Sequence, residues 1–231
     1  MNDFDFKGFK PVTVSFLQEL SENNNRNWFT QNKHRYEADV LTPALNYISA
    51  MSEPLAKISP QFNAVPKRIG GSLMRIYRDT RFSKDKTPYK TNIGIHFRHR
   101  LGKDMHAPGY YIHIAPDEIF IGIGTWHPPS DALLKIREYI VEQPKRWLTA
   151  RDDKIFRKEF NLYGDKLKLA PRGFPKDHKL LEDLKWKDFI AVQNLNRSDI
   201  QNKIFVELSI RLFKTATPYM KFLCDALGVP F

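Results

Sequence analysis

Apolar residues recur every three or four positions at both ends of the 231-residue chain and every second position in its middle. That change of period predicts helices, then strands, then helices. Val14, Phe16, Leu17 and Leu20 share one helical face until Asn23-Asn24-Asn25 breaks the run. A second helix is expected from about Asn27, carrying Trp28, Phe29, Asn32, Tyr36 and Val40. Leu45, Ile48 and Met51 continue its stripe past Pro43, where a kink or restart is expected because proline lacks the N–H. Pro54, Pro60 and Pro66 then enclose an expected loop.

The middle block alternates strictly in Ile93–Arg98, Tyr110–Ile114 and Ile119–Gly124, and Leu73–Arg78 reads as a fourth strand. Pro116-Asp117 signals a turn, and Gly102 to Gly109 can close a longer hairpin. Helical spacing returns with Leu133, Leu134, Ile136, Arg137 and Ile140, for which Ser130 is the expected cap. Pro144 starts a short helix through Trp147 and Leu148, and Leu167 to Asp177, with Pro171, Gly173 and Pro175, reads as loop. A last helix is expected after Ser198 along Ile200, Ile204, Leu208 and Phe213, bent at Pro218 before Leu223 and Leu227. With no repeat and no linker, the pattern predicts one α+β domain over residues 1–231, a central antiparallel sheet flanked by N-terminal and C-terminal helices.

Strand parity divides the sheet. Ile93, Ile95, Phe97, Ile112, Ile114, Ile119, Ile121 and Ile123 fall on one face, which must pack against helices. The other face carries Gly94, His96, Arg98, Tyr111, His113, Phe120, Gly122 and Gly124. Glycines there leave room for a trough lined by His96, Tyr111 and His113; alternatively they permit close packing, with the histidines bonded to backbone.

Composition narrows the classes. With 42% hydrophobic and 27% charged residues the chain is globular, and no apolar run approaches the length that spans a bilayer, so no membrane role is expected. The single Cys224 excludes an internal disulfide, and MNDFDFKGFK lacks the basic and apolar regions of a signal peptide, so a soluble, cytoplasmic protein is expected. The net charge is +11, and nearly all the excess lies between Lys67 and Lys103, where eleven Lys and Arg face only Asp79 and Asp85. Such clustering attracts phosphates, nucleic acid or acidic small molecules.

The densest polar segment is Arg75–Asn92. Arginine suits bidentate contact with planar oxyanions and lysine suits point contact with phosphate. Arg75, Arg78, Arg81, Lys84, Lys86 and Lys90 are therefore candidate ligand-binding residues, with Ser83 and Tyr89 beside them and His96, Tyr111 and His113 on the neighbouring sheet face. Asp79 and Asp85 orient those cations, or one serves as a general base if it is desolvated. An ion-pair lattice that merely pins the loop accounts for the same residues. Arg75 and Tyr77 share strand parity; on the trough side Arg75 would need a carboxylate, with Asp79 nearest in sequence.

The run from Arg78 to Lys90, RDTRFSKDKTPYK, together with Asn23–Phe29, NNNRNWF, resembles a widespread family of uncharacterised proteins, a domain of unknown function. The resemblance extends through Pro108–Ile114 and Gly122–Trp126 to Pro171–Phe174 and covers nearly the whole chain. It implies a single intact domain and brings no assigned activity or catalytic residue. In that family an acidic residue often precedes the proline that is Pro116 here, whereas this chain has Ala115, which argues against a catalytic role at that position.

Other signals are weaker. Five of seven histidines lie between His96 and His127, but without CxxC, HExxH or a carboxylate-rich loop no metal site is assigned. Cys224 sits in an apolar neighbourhood and reads as a buried, inert thiol. No GxxxxGK[ST] or GxGxxG is present, so no cofactor is named, and nothing shows that Lys176-Asp177-His178 reaches the trough. Three functions remain open: an enzyme on a small phosphorylated or carboxylated substrate, a nucleic-acid-binding module, and a structural or protein-interaction domain. The first two share an anionic ligand, and oligomeric state is not legible.

Overall fold

The N-terminal helices form against one another before the chain reaches the sheet. In the computed structural model, which describes residues 6–101 and 108–231, α1 (Pro11–Glu22) is followed by α2 (Arg26–Gln31), α3 (Lys33–Arg35), a π-helical turn at Tyr36–Leu41, and α4 (Thr42–Ile58). Asn25 caps α2, accepting the Trp28 N–H at 3.0 Å. The restart expected at Pro43 is the π turn. Thr42 N–H reaches back five residues to the Glu37 carbonyl. Pro43 has no N–H for the Asp39 carbonyl, and the Thr13 hydroxyl donates to it instead at 2.7 Å. Contrary to the expected loop, α4 runs through Pro54 to Ile58, because its apolar face, Ala44, Tyr47, Ile48, Met51 and Leu55, is buried along its length.

Among the described residues the sheet has five strands in the order β1-β2-β3-β5-β4, every neighbouring pair antiparallel. They are β1 (Ile93–Arg98), β2 (Gly109–Ile114), β3 (Ile119–Thr125), β4 (Asn161–Tyr163) and β5 (Phe189–Asn194). The fourth strand expected at Leu73–Arg78 is not one. That segment makes only isolated bridges, Leu73 to Ile95 and Tyr77 to Tyr89, and leaves the sheet between them. Most of the expected Gly102–Gly109 connection, residues 102–107, lies outside the described residues.

The second helical block is α5 (Ser130–Glu142), α6 (Pro144–Arg151), α7 (Lys154–Glu159), α8 (Leu181–Leu184), α9 (Arg197–Ile200), α10 (Ile204–Thr215) and α11 (Thr217–Ala226). Ser130 is the first helical residue and not the cap; Pro129 holds that place. The single last helix expected after Ser198 is three, interrupted at residues 201–203 and again at Ala216, with Pro218 inside the first turn of α11.

Helices from both ends of the chain cover the isoleucine face. Tyr47 of α4 packs on Phe97 with ring centroids 6.4 Å apart, Phe213 of α10 stacks on Tyr110 at 4.1 Å, and Trp147 of α6 meets Phe189 edge-on at 5.8 Å. Ile95, Ile112, Ile114 and Ile121 are fully buried there. Each such side chain stabilises by about 1.5–3 kcal/mol. One hydrophobic core runs from Phe6 to Ala226. At the β1 edge of the sheet, Met74 N–H donates to the Gly94 carbonyl at 2.9 Å and His96 N–H to the Ser72 carbonyl at 2.8 Å, and from there the chain enters the basic segment.

Candidate functional site

The two stretches that carry the family resemblance touch. Asn24 Nδ2 donates to the Tyr89 carbonyl at 2.9 Å, and the Tyr89 N–H donates to Asn24 Oδ1 at 3.1 Å. Tyr89 is buried, its ring stacked on Phe29 at 4.1 Å and flanked by Tyr77 at 5.5 Å. One side chain thus imitates a neighbouring strand, and the basic loop is anchored at its exit by the N-terminal helices.

Between Tyr77 and Tyr89 the loop is laced by its own charges. Arg81 makes a bidentate pair with Asp79, through Nε at 2.9 Å and Nη2 at 2.6 Å. Arg78 bonds Asp85 and the Thr87 hydroxyl. The Thr87 N–H donates to Asp85 at 2.9 Å, and Lys86 Nζ donates to the Thr80 carbonyl at 2.8 Å. Asp79 is lowered to about 2 chiefly by the Arg81 hydrogen bond, and Asp85 to about 2 chiefly by the Thr87 N–H, with Arg78 second. Both carboxylates are exposed. Neither is desolvated, and a carboxylate that far down is a poor base at neutral pH. Their place is to orient arginines.

Arg75, Lys84 and Lys90 are treated differently: their side chains make no hydrogen bond or ion pair among the described residues. Arg75 and Lys84 are exposed, and Ser83 is half-buried. Arg75 is therefore not on a desolvated trough side, and Asp79 turns to Arg81 instead. Lys90 is half-buried, and its pKa is lowered first by burial and then by the like charge of Arg75.

On the sheet face, Tyr111, His113 and Asn92 form a cluster. His113 Nδ1 lies 3.4 Å from Asn92 Nδ2 and 3.3 Å from the Tyr111 hydroxyl. Both neighbours can donate, so Nδ1 accepts and the ring is neutral. Burial lowers the His113 pKa, and it raises that of Tyr111 to about 12. The His113 ring stacks flat on Phe120 at 4.8 Å. His96 is buried; burial, with Arg98 second, lowers it to about 4, and Arg98 Nε donates to its Nδ1 at 3.3 Å.

The glycines of this face hold neighbouring rings more than open space. A Cβ on Gly94 would stand 2.8 Å from the Tyr111 hydroxyl and 3.1 Å from Met74 sulfur, and one on Gly109 would stand 2.5 Å from His96 Nε2. Gly122 alone would meet only ordinary contacts, the nearest being Phe120 at 3.6 Å. A surface depression of about 180 Å³ lies elsewhere, between Lys7, Lys10, Thr13, Asp39 and Asn46, and none of the residues singled out from sequence lines it.

Among the described residues no three His, Cys, Asp or Glu side chains converge as a metal site would require. No described helix is long and apolar enough to cross a membrane. Cys224 is buried and raised to about 12 by desolvation. Sequence reasoning missed Asn92, passed over as an end of the motif, and Asp188, which stands 61 positions from its partner His127 and has no local signal.

No curated protein and no solved structure matches the chain. A family model spans residues 12–222, and so includes the Asn24–Tyr89 anchor, the basic loop and the whole sheet. The chain belongs to the family described as conserved hypothetical protein (DUF2461).

Proposed function

We propose that the protein binds a small anionic ligand, phosphate- or carboxylate-bearing, where the basic loop meets the sheet. The observation that carries this reading is Lys90. It is half-buried beside the like-charged Arg75, with no carboxylate bonded to either: Asp79 feels Arg75 only through space, and the loop's own two carboxylates are taken by Arg78 and Arg81. Two close cations, one partly desolvated, repel each other until an anion enters. Asn92, Tyr111 and His113 add neutral hydrogen-bonding groups on the adjoining strands. An enzyme acting on a small phosphorylated substrate is one form of this reading.

A thermal-shift series with inorganic phosphate tests it. Wild type should gain stability as phosphate rises, and Lys90→Met should lose that response while remaining folded. Changing Lys84 and Lys86 together to Glu should weaken binding and leave the melting temperature nearly unchanged. Equal responses in wild type and Lys90→Met would remove Lys90 from the site.

A second reading has its own observation. Phe82 is 95% exposed and Tyr77 54% exposed, both within the cationic loop. Exposed aromatics among cations suit single-stranded nucleic acid, whose bases stack while its phosphates pair. Log affinity would then fall with log salt by about 0.7 per phosphate contact. A one-phosphate pocket gives a shallow slope and no gain from a longer ligand.

A further inference from the structure

The end of the sheet away from Lys90 carries a different arrangement. Thr125 of β3 lies across from Phe189 of β5, and just beyond that pair His127 meets Asp188. Asp188 Oδ1 receives the His127 backbone N–H at 2.5 Å and its ring Nδ1 at 2.7 Å. The carboxylate is 2% exposed and the imidazole 57% exposed. A carboxylate only accepts hydrogen bonds, so Nδ1 carries the proton, and in the neutral imidazole Nε2 is the bare acceptor on an accessible ring.

Several unrelated parts of the chain hold this geometry. His127 adopts φ +47°, a left-handed conformation costly for a residue with a Cβ. Gly164, at φ +126°, leaves the space Asp188 occupies; a Cβ there would stand 2.9 Å from the Asp188 Cβ. The buried Arg137 donates to the carbonyls of Leu184 at 2.7 Å and Trp186 at 3.0 Å, fixing the segment that delivers Asp188. The Trp126 ring stacks on the imidazole at 4.5 Å. Among the described residues the enclosed carboxylate has no Lys or Arg partner, only His127. A staple between two strand ends needs the backbone bond alone. The second bond, to the ring, sets a tautomer.

We propose that His127, oriented by Asp188, is a general base for attack by water on a carboxylic ester lying against Trp126. The water oxygen bonds to the carbonyl carbon as its proton moves to His127 Nε2. That proton then passes to the leaving oxygen as the C–O bond breaks, yielding acid and alcohol. Asp188 keeps Nδ1 protonated throughout and balances the imidazolium. His127 is the catalytic residue and Asp188 the positioning residue. Lys90 lies at the other end of strands six residues long, roughly 20 Å away, so this inference does not rest on the anion reading.

The test is hydrolysis of p-nitrophenyl acetate by the full chain. His127→Asn is the chosen variant, because asparagine tolerates the left-handed backbone and can still donate to Asp188. It should cut the rate above buffer at least about tenfold, the scale of a lost general base. His34→Gln, which removes an exposed histidine without a carboxylate partner, should leave the rate unchanged. Imidazole nitrogen shifts should show His127 protonated at Nδ1 and bare at Nε2 in wild type, and Asp188→Asn should lose that preference together with the rate. Wild-type activity no higher than buffer, a wild-type rate in His127→Asn, or a proton on Nε2 of His127 would each overturn the proposal.

Discussion

The side-chain amide of Asn24 holds both backbone groups of Tyr89, donating to its carbonyl at 2.9 Å and accepting its N–H at 3.1 Å across 65 residues of sequence. That one contact joins the asparagine-rich break after α1 to the exit of the basic loop. It explains why two distant motifs occur together: each is half of one joint.

Asn24→Ala should therefore lower stability by about 1–3 kcal/mol, since the buried Tyr89 N–H is left without a partner. Asn24→Asp, which keeps the acceptor and loses the donor, should cost less. Thermal unfolding of the two variants beside wild type checks the order.

Stability should fall in acid through His96. Its folded pKa is lowered to about 4 from an ordinary 6.5, so between those values the unfolded chain binds the proton more readily. The fold keeps its full stability above about pH 6.5 and loses up to about 3 kcal/mol as pH falls to about 4, where the loss levels off. Burial lowers His113 as well and adds to the loss in the same direction. Denaturant unfolding across this window should show a shallower fall in His96→Gln than in wild type.

Two glycines of β3 should differ in their response to alanine. At Gly122 a Cβ meets nothing closer than 3.6 Å, and alanine should change stability by less than about 1 kcal/mol. At Gly124, φ is +110° and a Cβ would stand 2.1 Å from the Phe189 carbonyl oxygen, so alanine should cost several-fold more. Melting temperatures of the two variants make the comparison directly.

The outer pair Arg81–Asp79 should contribute little to stability, because both side chains are largely exposed. Asp79→Asn should leave the melting temperature unchanged and release Arg81, so that phosphate affinity rises. Calorimetric titration with phosphate reads that rise; weaker binding in this variant would show that Asp79 positions a needed arginine.

Strands β1, β2 and β3 were legible because Ile93–Arg98, Tyr110–Ile114 and Ile119–Gly124 alternate between a buried face and a polar one. β5 was not: Phe189 and Ala191 face the core while Ile190 and Val192 on the other side are also apolar, so the period vanishes. β4 has only three residues, too few to show one. Leu73–Arg78 alternated like a strand, yet after Met74 its backbone pairs with Pro88–Lys90 instead of the sheet, Arg78 N–H donating to the Pro88 carbonyl at 2.9 Å and Lys90 N–H to the Ile76 carbonyl at 2.7 Å. Pro54 reads as a helix breaker, and burial of Met51 and Leu55 outweighs it. At the candidate site, charge clustering located the loop. Which cations are internally paired depends on contacts such as Arg78 with Asp85, which loop shape decides and composition does not.

The most direct measurement is a crystal structure of the protein with inorganic phosphate. The account predicts one phosphate held between Lys90 Nζ and the Arg75 guanidinium, within reach of Asn92, with Arg78 and Arg81 still on Asp85 and Asp79. Lys90 paired to a carboxylate of its own chain, and phosphate absent from that position, would contradict it.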